Sequence, residues 1–293
     1  MDAVDIGVLG GSGLYQMKEL TDQSSVQVNT PFGMPSDDIV VGTLAGRRVA
    51  FLPRHGRGHR LLPSEIPYMA NIHALRQLGV RHLISVSAVG SMREAIAPGH
   101  ICLPDQFIDL TRERPRTFFG GGVVVHIPFD KPVCADLAEV LHRAGKKAGA
   151  VMHTGGTYVC IEGPQFSTRA ESNLYRTWGV DVIGMTNLPE ARLAREAEMC
   201  FATIALATDY DCWHETAEVS VEQILKIINQ NVSLAQEIIR RAVTMIPAER
   251  GCACGNALAH AIITEKSAIP VETRRRLDLL LGRYLAQAPA ASC

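Results

Sequence analysis

Two carboxylates stand two residues apart in the stretch Cys200–Trp213, CFATIALATDYDCW: Asp209 and Asp211, on either side of Tyr210. Acids spaced this closely offer proton donation or recognition of a base; the plain alternative is a solvated turn. A second chemistry runs through several small loops. Gly10-Gly11-Ser12-Gly13 follows a short apolar run. Successive N–H groups on such a turn cradle an anion of phosphate size, with Ser12 in contact. Pro53-Arg54-His55-Gly56-Arg57-Gly58-His59-Arg60 carries guanidinium forks that suit phosphate. Ser87-Ala88-Val89-Gly90-Ser91 adds hydroxyls and small residues, and Met185-Thr186-Asn187 opens a helix whose first turn is a natural anion site. Taken singly, each is a tight turn or a solvated surface. Taken together they suggest one crevice.

The elements that would build it follow from periodicity. The run Phe201–Ala207 reads as a fully buried strand of a parallel sheet, and ligands bind at the carboxyl ends of such strands. Similar strands are expected at Asp5–Leu9, His82–Val86, His100–Phe107, Gly156–Ile161 and Asp181–Gly184, with shorter alternating ones at Val26–Val28, Asp38–Leu44 and Arg47–Leu52. Helices are expected over Glu65–Leu78 (capped by Ser64), Pro132–Ala148, from Ser167 or Thr168 to Trp178, and from Thr186 or Asn187 to Glu198. Two more follow: one opened by a capping box at Ser220-Val221-Glu222-Gln223 and ending near Met245, and one over Pro270–Ala286. Thr111–Gly122 reads as a polar surface loop. Phe166, at a strand–helix junction, either stacks on an aromatic ligand or plugs the core. Met185 reads as a core methionine. Strands interleaved with helices predict an α/β fold: a single three-layer domain with a central mixed, largely parallel, twisted β-sheet flanked by helices.

Composition narrows the function classes. A net charge of −1 over 293 residues, with no basic block, argues against a nucleic-acid partner. No run reaches the length of a membrane span, and the first ten residues lack the basic segment of a signal peptide, so a cytoplasmic protein is expected. Its eight cysteines are then expected to be mostly reduced core residues. Cys252-Ala253-Cys254 is closer set than the usual zinc spacing, so no metal is expected. The first glycine loop lacks the glycine at position 16 that a dinucleotide fingerprint would need; Gln16 stands there.

The motifs GGSGL (10–14), PFG (31–33), PRHGRGH (53–59), SVSAVGS (85–91), IEGPQFSTRAES (161–172), GMTNLPEARLAREA (184–197) and ATDYDCW (207–213) occur in this order. Together they resemble the trimeric purine nucleoside phosphorylase family, and most of all its 5′-methylthioadenosine phosphorylase branch. The resemblance runs from about residue 5 to 245. It implies a nucleoside-phosphorylase fold spanning residues 1–293, with a helical extension from about 247. It implies phosphorolysis of S-methyl-5′-thioadenosine to adenine and 5-methylthioribose 1-phosphate, in methionine and purine salvage. Inorganic phosphate is a co-substrate, and no cofactor is implied.

By the same resemblance Ser12, Arg54, His55, Ser87 and Thr186 hold phosphate. Ala88, Phe166 and Met185 line the sugar and base pocket. Asp209 and Asp211 read the purine and supply the proton. Val221 and Ile224 receive the methylthio group, and His126 reaches in from a neighbouring subunit, which implies a homotrimer or a pair of trimers. Cys134 and Cys200 match positions that pair as a disulfide in some members and are expected close together here, though reduced. Related 6-oxopurine phosphorylases carry Asn at the position of Asp209, so the Asp favours a 6-aminopurine. Two rival readings remain: a phosphorylase of the same fold acting on methylthioinosine, adenosine, inosine or guanosine, and a non-catalytic purine or phosphate binder.

Overall fold

Five consecutive buried residues make Ile6–Gly10 a strand covered on both faces (β1). In this computed structural model residues 4–214 and 221–286 are described, with the backbone alone at Ser12, Tyr15, 221–226 and 228–230. The expected capping box at Ser220 therefore lies outside the described residues. Thr21–Val26 (β2) is a polar, exposed edge strand. Ile39–Leu44 (β3) and Arg47–Pro53 (β4) form a hairpin whose turn, Ala45-Gly46, has positive φ at both residues. Then come Tyr68–Gln77 (α1), His82–Ser91 (β5), Ile101–Leu103 (β6), Gln106–Asp109 (β7), Ala135–Lys147 (α2), Met152–Thr154 (β8) and Thr157–Cys160 (β9). Arg169–Thr177 (α3), Val182–Gly184 (β10), Asn187–Glu196 (α4), Cys200–Asp209 (β11), Val221–Met245 (α5), Val271–Arg276 (α6) and Asp278–Leu285 (α7) complete the set.

All these strands share one sheet in the order β2-β3-β4-β1-β5-β10-β9-β7, with β11 against β5 and β6, and β6 against β8. It is mixed and largely parallel, as expected. The sheet forks at β5. Its first residues pair in parallel with β1 and β11, and its last two, Gly90 and Ser91, pair antiparallel with β10. One core face carries Leu9, Leu52, Leu75, Leu83 and Phe201; the opposite face carries Ile6, Phe51, Ile84, Ile204 and Ile238. That two-sided burial is why β11 reads as an unbroken apolar run. Among the described residues no helix is long and apolar enough to cross a membrane.

Several expectations are corrected. Ser87–Ser91 is not a loop after a strand: it continues β5. Small residues are needed there because a Cβ on Gly90 would stand 3.1 Å from Asp209 Oδ1 and 2.9 Å from Ile183. The first helix starts at Tyr68 rather than Glu65 because Pro67 disfavours helical backbone at Ile66; Ser64, free of capping, donates to Glu162. The strand expected at Val26–Val28 lies earlier, since an exposed edge such as TDQSS carries no apolar alternation. His100–Phe107 is two short strands parted around Pro104, and β8 has no clear signal in a three-residue stretch. Thr111–Gly122 is no surface loop throughout: Arg114, Phe118 and Phe119 are buried. The last expected helix is two, broken at Leu277.

Helix α3 shows local sequence logic intact. Thr168 Oγ1 accepts from the Glu171 backbone N–H at 3.2 Å, and the Glu171 carboxylate accepts from the Thr168 N–H at 2.8 Å. Of the two expected caps, Thr168 is the one used. Thr168→Ala should lose ~0.5–2 kcal/mol of stability. An unchanged urea midpoint would show that the cap contributes nothing beyond α3 itself.

Candidate active site

Arg54 follows β4 directly, and its backbone N–H donates to Gly10 O at 2.9 Å. Its side chain is 3% exposed. Nε pairs with Glu190 of α4, Nη2 donates to Glu190 Oε2 at 3.0 Å and Ser85 Oγ at 2.7 Å, and Nη1 donates to Val86 O at 2.9 Å. Only the second Nη1 N–H is left for a ligand. Burial alone would lower the pKa of Arg54, but the charge of Glu190 outweighs it and holds the guanidinium more firmly protonated than usual. Asn187 joins the cluster, donating to Ser85 Oγ at 3.1 Å and accepting from Thr203 Oγ1 at 2.8 Å. Asn187 is thus no N-cap; Thr186 stands at that position.

Beside this cluster the hydroxyls of Ser87 and Thr186 lie 3.3 Å apart, bringing the ends of β5 and β10 together. His55 donates Nδ1–H to Leu61 O at 2.8 Å and stacks on His59 at 4.2 Å. Burial, with Arg54 and His59 nearby, lowers His55 to about 4, so at neutral pH its Nε2 is an acceptor. That suits the protonated oxygen of a phosphate monoanion or dianion. Gly11 precedes the short 3-10 turn Ser12–Tyr15, and a Cβ there would meet nothing within 4 Å, so the backbone is open to a ligand. The Ser12 side chain lies outside the described residues. Arg54, His55, Ser87 and Thr186 are brought together around one corner with the Gly11 turn.

Arg114 braces the neighbouring turn. It donates to Met185 O, to Leu188 O at 2.8 Å and to Glu162 O at 2.7 Å, and pairs with the Glu162 carboxylate at 3.0 Å. Glu162 also accepts from Ser64 and from the Arg112 N–H. Despite partial desolvation, these donors lower its pKa to about 2. Met185 is half-buried and packs over Gly163, where a Cβ would meet its sulfur at 2.5 Å. It is therefore only partly buried and not a core methionine.

The acids sit where β11 leaves the sheet, past a register shift between Ala207 and Asp209. Asp209 Oδ1 accepts from the Asp211 N–H at 2.8 Å and Oδ2 from Thr208 Oγ1 at 2.7 Å. Asp211, at φ +52°, accepts from Ser172 Oγ of α3 at 2.5 Å. Burial pushes both carboxyls above their ordinary range, more than these donors pull them down. Asp209 is the more open of the two; Asp211 is buried. Asp209 pairs with Gly90, two residues beyond Ala88, whose side chain is exposed. The acids therefore share a strand end with the hydroxyl corner.

Phe166 is 51% exposed, which removes the core-plug reading. Cys212 Sγ–H donates to Ser167 O at 3.2 Å, so the Phe166 loop is tied to the turn after Asp211. His126 is exposed, with its N–H donating to Ala261 O at 2.8 Å. The side chains of Val221 and Ile224 lie outside the described residues. Glu190, Asn187, Arg114 and Ser172 escaped the sequence reading.

Glu190→Ala leaves Arg54 charged, buried and unpaired, and should cost ~3–5 kcal/mol. Adding Arg54→Met should recover much of that loss. A single-variant loss under ~1 kcal/mol in urea unfolding would place this pair with ordinary exposed ones.

Residues 5–244 match the phosphorylase superfamily. The chain is 64% identical over 282 residues to an S-methyl-5′-thioadenosine phosphorylase of Geobacter sulfurreducens, covering 96% of this chain and 99% of that one. It is 56% identical to one of Koribacter versatilis, covering 98% and 99%. A methylthioadenosine phosphorylase from an Antarctic soil metagenomic library superposes with a TM-score of 0.92 at 51% identity, over 96% of this chain and 100% of that one. Methylthioadenosine phosphorylase from Schistosoma mansoni in complex with adenine gives a TM-score of 0.81 at 36% identity, over 87% and 96%. This chain, carrying the glycine turn, the hydroxyl corner and the paired acids on that shared fold, belongs to the phosphorylase superfamily and within it to the S-methyl-5′-thioadenosine phosphorylases.

Proposed function

We propose that this chain, acting as one phosphorylase domain, splits S-methyl-5′-thioadenosine with inorganic phosphate into adenine and 5-methylthioribose 1-phosphate. The observation that carries this is the pairing, across β5 and β11, of an anion corner with two carboxyls that burial shifts towards the protonated form. A phosphate oxygen attacks C1′ as the C1′–N9 bond breaks, and the bond's electrons pass to the purine. Asp209 delivers its proton to N7 and afterwards regains one from solvent. Asp211 accepts from the exocyclic amine. The phosphate is held by Ser12, Arg54, His55, Ser87 and Thr186, so the reactants meet already oriented. Ala88, Phe166 and Met185 line the sugar and base. No cofactor takes part.

Specificity rests on unpaired groups. A 6-oxopurine would set its oxygen against a carboxylate, and a buried acceptor left facing an acceptor is costly. The methylthio group would lie against Val221 and Ile224, completed by His126 of a neighbouring copy in a homotrimer or a pair of trimers. An apolar pocket rejects a hydroxyl only modestly, which leaves adenosine as a secondary substrate.

Release of free base from a nucleoside panel, with and without phosphate, tests the reading. Methylthioadenosine should be cleaved fastest and only with phosphate; faster cleavage of inosine would overturn it. Asp209→Asn should shift preference towards 6-oxopurines and lower kcat/KM for methylthioadenosine by ~10²–10⁴. In the parent enzyme that rate should fall as pH rises through the elevated Asp209 pKa. Unchanged adenine preference in the variant would remove Asp209 from base reading.

A further inference from the structure

Four cysteines far apart in sequence meet beneath the sheet. Cys134 precedes α2, Cys200 is the first residue of β11, and Cys252 and Cys254 begin the extension after α5. Their sulfurs all lie within 4.8 Å of one another, with Cys252 Sγ 3.3 Å from Cys200 Sγ and 3.7 Å from Cys134 Sγ. All four are free thiols. The nearness expected of Cys134 and Cys200 is therefore met, but with two further sulfurs in the same cluster. Cys252-Ala253-Cys254 is too close-set to offer a zinc pattern by itself, but the two further sulfurs come from 52 and 118 residues away.

We propose that Cys134, Cys200, Cys252 and Cys254 form a structural zinc site that anchors the C-terminal extension to the phosphorylase core. A tetrahedral ion with Zn–S bonds of ~2.3 Å requires sulfurs ~3.8 Å apart, close to what the cluster already offers. Four thiolates select a soft or borderline ion over magnesium or calcium. Each thiol releases one proton on binding, so the filled site carries a net charge of −2. Compensating charge is present. Arg195 Nη1 lies 3.6 Å from Cys254 Sγ, and the N-terminus of α2 faces the cluster at Cys134. Three of the cysteines are buried; Cys252 is half-exposed and borders an adjoining cavity, which gives an ion a way in.

The site's position gives it a purpose. The extension contributes buried Leu258, Ile269, Leu277 and Leu281 to the core. It also holds the 123–127 segment, through the Val125–Ile262 bridge and the His126 N–H to Ala261 O. Zinc at residues 252 and 254 pins the root of that extension. With no coordination position left open, the ion takes no part in the reaction.

The full chain, produced with zinc and purified under reducing conditions, tests this by elemental analysis and by a metallochromic dye after thiol blocking with a mercurial. Wild type should carry stoichiometric zinc, and cobalt replacement should give the intense sulfur-to-metal absorption of a tetrahedral thiolate site. Cys252→Ser and Cys134→Ser should each lose roughly tenfold or more of the bound ion. Wild type that is metal-free while its thiols titrate as free, or that forms disulfides under these conditions instead of taking up zinc, would overturn the proposal. The wild-type readout does not depend on a variant folding, and none of these readouts depends on nucleoside cleavage.

Discussion

The Arg54–Glu190 pair holds the active-site end of this protein together. One guanidinium reaches the C-terminal end of β1 through Leu9 O and the middle of β5 through Val86 O, and reaches α4 through Glu190. Burying either charge alone would be costly, and the pair is tolerable only because nearly every donor and acceptor is satisfied. Ser85, Asn187 and Thr203 complete that satisfaction. The consequence is positional. Strand ends that might fray are fixed relative to one another, and with them Ser87 and Thr186, the hydroxyls nearest the proposed phosphate.

The acid end obeys the opposite rule. Among the described residues Asp209 and Asp211 have hydrogen bonds but no cation paired with them, and burial outweighs those bonds, so both carboxyls are shifted towards the protonated form. Glu162 is only partly desolvated, accepts from Ser64 and from the Arg112 and Glu113 N–H groups, and sits beside Arg114; it is shifted the other way, to about 2. One site thus contains carboxylates kept charged to brace a turn and carboxyls kept ready to give up a proton. The difference lies in how deep the desolvation is and how many donors oppose it, with the neighbouring guanidinium adding to them, not in the residue type.

Much of the fold was legible locally. Buried strands betray themselves by apolar runs, and β11, β1 and the first half of β5 were found that way. Thr168 and Glu171 declare their capping box by spacing alone. Edge strand β2 and three-residue β8 carry no such pattern, because neither has a face that must be apolar over several residues. The glycine turn, the Arg54-His55 stretch and the Asp209–Asp211 pair stood out because glycine, arginine and acids at strand ends are costly unless used. Glu190, Arg114, Asn187 and Ser172 did not, since a charged or polar residue in a helix or loop looks the same whether it faces water or a buried partner.

The sequence by itself determined the fold class, the family and the chemical kinds of group at the site, since each is written in short stretches whose spacing survives without coordinates. Only the tertiary structure decided which groups are paired. It joined Arg54 to Glu190 across 136 residues and Ser172 to Asp211 across 39. It also gathered Cys134 and Cys200 to the Cys252–Cys254 pair, turning an unpromising spacing into a four-sulfur cluster. The reason is physical: protonation state and ligand geometry depend on burial and on partners within a few ångströms, and those neighbours are set by how the sheet is wound, not by order along the chain.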